Sequence, residues 1–141
     1  MPTALHSVSV AAVVADDHGR ALLVRRRDNR HWEPPGGVLE LEEDITQGLC
    51  RETLEETGLT IEPVALTGVY KNMTRGIVAL VFRCKATGGH LTVNNEACEF
   101  KWATPGEVTG LVDEAFAVRV LDALADRQAP AVRRHDGVRL T

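Results

Sequence analysis

The sequence has no apolar run long enough to cross a bilayer. Val8 to Ala15, the most continuous candidate, is too short, and no basic segment precedes it as one would in a signal peptide. Cysteine is sparse: Cys50, Cys84 and Cys98 are odd in number, far apart, and without the close paired spacing of a zinc or redox motif. A reducing, cytoplasmic setting is therefore expected. Basic residues are not in excess either. Sixteen Lys and Arg against 20 Asp and Glu give a net charge of -4, which disfavours a nucleic acid polymer as partner. The five histidines are scattered without ligand spacing, and no internal repeat or low-complexity stretch is present. A length of 141 residues fits one domain, 1–141, and one active site.

What is present reads as alternating strands and helices. Ser7 to Ala15 and Ala21 to Arg25 are β-branched and aliphatic around Asp16-Asp17-His18-Gly19, which predicts a hairpin. Arg27 to Gly37 is rich in charge, proline and glycine and reads as a surface loop stiffened by Pro34 and Pro35. A helix is expected from Asp44, its N-cap, to Thr57, with Gly58 where a C-terminal cap belongs. Val64 to Tyr70, Ile77 to Lys85 and Glu99 to Ala103 read as strands. Thr104-Pro105-Gly106-Glu107 opens a short helical turn, and Asp113 to Asp126 is a helix whose Phe116, Val120 and Leu124 form an apolar stripe. The tail, 128–141, is polar and basic without a usable period and is expected to be flexible. The fold class that follows is an α/β/α sandwich around a mixed sheet.

The chemistry concentrates between Gly37 and Leu59. At about 100° per residue, Glu52, Glu55 and Glu56 span roughly 100° of one helix face. Arg51, one turn before Glu55, is placed to pair with it. A run such as Glu-Thr-Leu-Glu-Glu is usually a solvated surface. Here Ile45 and Leu49 lie on the stripe that Glu52 and Glu56 continue, so these glutamates are expected to point into a cleft. Crowded, partly desolvated carboxylates repel one another, and a bound hard cation compensates for that. Oxygen ligands with room for water favour magnesium or manganese.

Gly37, Glu43, Arg51-Glu52, Glu55-Glu56 and Gly58, followed by the apolar Leu59, stand at the spacing of the Nudix box, and the chain resembles the Nudix hydrolase family, its mutator-type nucleotide pyrophosphohydrolases in particular. At roughly 7% per position, seven matches would arise by chance about once in 10⁸ starting points. Leu22 to Arg27, Trp32, Pro35-Gly36 and Trp102 also look like the family. Thr53 stands where an aliphatic residue is usual, Glu42 where many members have glycine, and Gly48-Leu49 replaces a pair of small residues. None of these changes removes an expected ligand.

The resemblance implies that Glu52 and Glu56 are metal ligands, that Glu55 is a ligand or holds a coordinated water, and that the Gly36 carbonyl adds a further ligand. Glu43 is expected to pair with Arg51 and fix the loop to the helix. The implied activity is metal-dependent cleavage of a phosphoanhydride bond in a nucleoside diphosphate-linked compound, with (deoxy)nucleoside triphosphates ahead of nucleotide sugars. The alternative is a nucleotide-sensing module on the same fold. Arg25, Arg26 and Arg27 alternate sides if the strand continues, so that one or two face the cleft and hold phosphate, with Arg25 and Arg27 the named candidates; the alternative is an arginine-rich strand end facing water. Tyr70 either stacks on a base or packs in the core. By the same resemblance Glu96, six residues before Trp102, is the expected general base, with Glu99 its nearest rival and two ordinary surface acids the alternative. No membrane partner is expected, and a homodimer is left open.

Overall fold

The computed structural model describes residues 2–141. Eight strands and three helices follow one another as β1 (Ser7–Val14), β2 (Ala21–Arg26), β3 (Trp32–Glu33), β4 (Gly36–Val38), α1 (Ile45–Thr57), β5 (Leu59–Asn72), β6 (Ile77–Gly89), β7 (Ala97–Ala103), α2 (Pro105–Leu111), α3 (Glu114–Leu124) and β8 (Ala131–His135). A five-stranded mixed sheet runs β4-β1-β6-β5-β8, and a three-stranded antiparallel sheet runs β3-β2-β7. Among the described residues no helix is long and apolar enough to cross a membrane.

β1 is apolar on both faces because both are covered. Val10, Ala12 and Val14 join Leu22, Leu49 and Leu59 on the α1 side, and Ala11 and Val13 join Leu23, Val81 and Val120 on the α3 side. This alternation puts the strands between helices, as in a three-layer sandwich. α1 begins at Asp44, whose side chain accepts from the Gln47 N–H while Gln47 bonds back to the Asp44 N–H, and it ends at Gly58 with φ 86°. The same reciprocal cap between Thr104 and Glu107 starts α2.

Three expectations are corrected. β1 and β2 are joined by a tight turn but do not form a hairpin: only Ala15 and Ala21 bridge, because β4 and β6 occupy the edges of β1 and β3 and β7 those of β2. The loop from Arg27 to Gly37 contains two short strands, β3 and β4. Residues 131–135 of the tail form β8, parallel to β5. Beyond the small, buried Ala131, the inward positions of β8 are held by polar contacts, which a hydrophobic period cannot reveal. Arg133 forks onto both oxygens of Asp122 on α3 at 2.8 Å, and His135 faces Arg119 at 3.1 Å. Tyr70 of β5 completes this seam, donating its hydroxyl to Asp122 at 2.7 Å.

Asp122→Ala would leave the buried Tyr70 hydroxyl and the Arg133 guanidinium without their acceptor. A loss of about 2–4 kcal/mol is expected, against about 1 kcal/mol for Tyr70→Phe, which removes donor and demand together. Denaturant melts check the magnitudes. Amide exchange confined to β8 and faster in Asp122→Ala would confirm that the seam holds this strand.

Candidate active site

The site is built on the C-terminal half of α1 and the two strands that precede it. Arg51 is its hub. Its Nε and Nη2 fork onto Glu43 at 2.8 and 2.6 Å, Nη1 reaches Glu52 at 2.9 Å and Glu55 at 3.2 Å, and Nη2 also donates to the Val38 carbonyl at 3.3 Å. The planar guanidinium is suited to this, since its donors are fixed in one plane and serve several oxygens at once. Glu43 is held well below the usual carboxylate range, at about 2, by Arg51. The loop ahead of α1 is thereby tied to the helix. Gly48 leaves the room this needs, because a methyl group there would overlap Leu39 and the Glu43 carboxylate.

The face of α1 turned inward carries Leu49, Thr53, Glu56 and Thr57, all buried. Ile45, expected on this stripe, is instead 40% exposed, one turn too far toward the helix N-terminus to reach the sheet. Thr53 replaces an aliphatic residue without cost in hydrogen bonds, since its hydroxyl donates to the Leu49 carbonyl at 2.8 Å. Glu56 is only 5% exposed and accepts from the Gly36 N–H at 3.1 Å. β1 pairs with β4 so that Gly36 faces Ala11 and Gly37 faces Val10. A side chain at Gly37 would collide with the Glu52 carboxylate, and one at Gly36 with the β1 backbone. The two glycines are required for this close approach, which brings backbone against carboxylate.

Glu52, Glu56 and Glu96 line one cleft of about 460 Å³ with Gly36, Gly37 and Arg26. Its rim also includes Asp28 and Glu33, so five carboxylates are opposed by the guanidinium of Arg26 and, at Glu52, by that of Arg51. Burial first, then Glu33, Glu96 and Glu52 nearby, push Glu56 up to about 8 against the opposing Gly36 N–H. Burial likewise raises Glu52, opposed by Arg51, and Glu33, opposed by Arg26. A hard divalent cation fits this donor set. It would supply the missing positive charge and take oxygen ligands only. Among the described residues, no three His, Cys, Asp or Glu converge tightly enough to enclose an ion by themselves.

The other sequence-predicted residues are distributed unequally. Glu55 is at the edge, 57% exposed and paired with Arg51. Arg25 points away from the cleft. It pairs with Glu99 at 3.2 Å, donates to the Arg30 carbonyl and lies over the Trp32 ring. Arg27 donates to the carbonyls of Asn94 and Ala97. The side chain that reaches the cleft is Arg26, bound to Asp28 and Glu33, on the face of β2 opposite to that of its neighbour Arg25. Tyr70 is fully buried with its hydroxyl bonded to Asp122, which leaves no ring face for stacking on a base. Glu99, occupied by Arg25, is separated from Glu96, which is at the cleft.

Two contributors were not singled out from sequence. Glu33 becomes a cleft residue only once β3 is paired to β2. Asn94 fixes the loop bearing Glu96: its amide donates to the Glu56 carbonyl at 2.7 Å, and its oxygen accepts from the N–H groups of Glu96 and Ala97. An asparagine two residues before Glu96, able to make an Asx turn, was the available signal.

A model of the NUDIX domain matches residues 5–124. The chain is 56% identical over 136 residues to a MutT-like protein of Streptomyces ambofaciens, covering 96% of this chain and 88% of that one. It is 31% identical over 100 residues to an ADP-ribose pyrophosphatase of Methanocaldococcus jannaschii, covering 66% and 59%. The crystal structure of a NUDIX hydrolase from Nitrosomonas europaea superposes with a TM-score of 0.81 at 21% identity, over 95% of this chain and 82% of that chain.

Glu56 makes stability depend on pH when no cation is bound. Its folded value, about 8, lies above the ordinary 4.5, so the stability of the protonated form is complete below about pH 4.5 and is lost as pH rises through about 8. With chelator present, Glu56→Gln is therefore expected to melt with the parent near pH 4.5 and roughly 5 °C or more above it at pH 8.5. Thermal melts across this range test it, and a gap that stays constant with pH would contradict the burial of an ionisable Glu56.

Proposed function

The chain belongs to the Nudix family, and we propose that within it the chain is a magnesium- or manganese-dependent hydrolase of (deoxy)nucleoside triphosphates or, next in order, of nucleotide sugars. Membership makes it a hydrolase acting on phosphoanhydride bonds of small nucleotide-like substrates, and hydrolases of this family generally need a divalent metal. The observation that carries the finer reading is the convergence of Glu52, Glu56 and Glu96 on one cleft with the Gly36-Gly37 backbone and Arg26.

In this reading Glu52, Glu56 and the Gly36 carbonyl would hold the cation, with Glu55 completing the acidic rim. When bound, the cation supplies neutralisation of the diphosphate charge and a lowered pKa for water. Arg51 acts through other groups, keeping Glu52 and Glu55 aimed and tying the Glu43 loop to the helix. Arg26 offers its guanidinium to phosphate oxygens at the cleft, a role assigned from sequence to Arg25 and Arg27. Glu96 accepts the proton of the attacking water. The water oxygen bonds to phosphorus as the bridging P–O bond breaks, and the leaving phosphate takes the electron pair. Asn94 keeps Glu96 in place from below.

A panel of nucleoside triphosphates and nucleotide sugars, with magnesium, manganese or chelator, and identification of the released phosphates, tests the activity. Glu56→Gln should lose most turnover while remaining folded, since shape is kept and a ligand charge is lost. Glu96→Gln should lower kcat by roughly 10²-fold or more with the metal dependence of KM little changed, while Glu99→Gln stays within about twofold. Near-parental turnover in Glu96→Gln together with a large loss in Glu99→Gln would move the base. Tight nucleotide binding without turnover of any compound would favour the sensing module instead.

A further inference from the structure

Arg26 lines both the carboxylate cleft and a narrower slot of about 220 Å³ beside it, between the β1–β4 edge and α3. Its guanidinium is already occupied. Nε and Nη2 fork onto the two oxygens of Asp28 at 2.9 and 2.6 Å, and Nη1 donates to Glu33 at 3.2 Å. Two parallel N–H groups meeting one anion is also how a guanidinium takes a phosphate. Asp28 therefore holds on Arg26 the place that a phosphate group would claim. Three of the five N–H donors are in use, and those that remain sit on nitrogens already bonded to a carboxylate.

The two carboxylates on Arg26 are not equivalent. The Glu33 side chain is 22% exposed, and its backbone is fixed in β3 by pairing with Val24 of β2. The Asp28 side chain is 63% exposed and belongs to the turn 27–29 that follows β2, while that of Arg26 is 43% exposed. An ion pair this open gives up little when it separates, since water replaces what each partner loses. Asp28 would also keep one contact on leaving, because its Oδ1 accepts from the Asn29 N–H at 2.6 Å. Arg26 holds the Asp28 carboxyl down at about 2, so at neutral pH it competes as a charged group. Of the two, Asp28 is the anion that can be exchanged.

We propose that Asp28 is a built-in competitor for the phosphate position at Arg26, displaced into water by an incoming phosphate and returning as the product leaves. The inference rests on the phosphate-binding role given to Arg26 above and adds the residue that limits the affinity of that position. A terminal phosphate, with up to two negative charges and three acceptor oxygens, out-competes a single carboxylate for the fork. Because the same pair must open for substrate and for released phosphate, Asp28 weakens the binding of both by the same factor. Loosening the product in this way favours turnover where release would otherwise be slow.

The test is calorimetric titration with inorganic pyrophosphate in magnesium, on the parent, Asp28→Asn, Arg26→Met and the double variant. Asp28→Asn keeps the shape of the side chain, removes its charge, and should lower the Kd for pyrophosphate roughly fivefold or more. Asp28→Ala, which removes the acceptor as well, should do the same. The gain has to run through Arg26. In the Arg26→Met background Asp28→Asn should therefore change Kd by less than about twofold, which separates competition for one guanidinium from a general easing of negative charge in the cleft. KM for triphosphates should fall in parallel with Kd, and inhibition by pyrophosphate should set in at lower concentration. Weaker pyrophosphate binding in both Asp28 variants overturns the proposal, since Asp28 would then be a support that aims Arg26. An equal gain with and without Arg26 overturns it as well. Tighter binding that depends on Arg26, without hydrolysis of any nucleotide, would sustain this inference and reject the proposed activity. Hydrolysis with a pyrophosphate affinity that neither Asp28 variant alters would do the reverse.

Discussion

Arg51 stands between Glu43, Glu52 and Glu55, and the reach of that one guanidinium decides where the loop ahead of α1 can run. Without it, the acidic side chains of the helix would separate toward solvent, each gaining hydration and losing its neighbours. With it, the loop is pulled onto the helix, Val38 is brought within reach through its carbonyl, and β4 is held where its two glycines meet the carboxylates. The pair is also a partly protected one, with the Arg51 side chain 25% and that of Glu43 13% exposed, so its geometry is less diluted by water than a surface pair would be.

That clamp leaves an electrostatic debt on the other side. Arg51 serves the glutamates at the rim, while Glu56 lies deeper, opposed only by a backbone N–H. A protein under selection for stability alone would place a methionine or leucine there, next to the buried Leu49 and Thr53. The retained carboxylate makes sense as a group whose charge is satisfied by something bound rather than by the fold. Divalent cations and phosphates answer each other in the same way, and the cleft offers carboxylates for the one and Arg26 for the other.

α3 shows the same economy on the opposite side of the sheet. Its apolar residues Ala117, Val120 and Ala123 build the core, but two of its inward positions are Arg119 and Asp122. Asp122 is saturated by Tyr70 and Arg133 and so behaves as a structural rivet for β8. Arg119, one helical turn away, is left short of acceptors beside a slot that opens onto the cleft. Two buried polar groups of one helix therefore differ in how fully the chain itself supplies their partners.

The residues that were legible in the sequence are those whose physics is local. The Asp44–Gln47 cap, Gly58 at the helix end, the Thr104–Glu107 cap and the turn-to-turn spacing of Arg51, Glu52, Glu55 and Glu56 all act within a few residues, and each has its expected form. β1 was also readable, because a strand apolar on both faces has to lie between two layers. Contacts between distant segments were not readable. Whether Arg26 rather than Arg25 or Arg27 faces the cleft depends on which face of β2 is turned to the distant α1 and β4. Tyr70 is in the core because α3 offers it Asp122, and the tail becomes a strand because Arg133 and His135 find partners on that helix. Sequence alone determined the family and the helix that carries the carboxylates, since helical geometry converts spacing directly into direction. Tertiary structure alone decided which side chains share the cleft and which buried charges find partners within the chain, since a one-residue change in strand register turns a side chain to the other face.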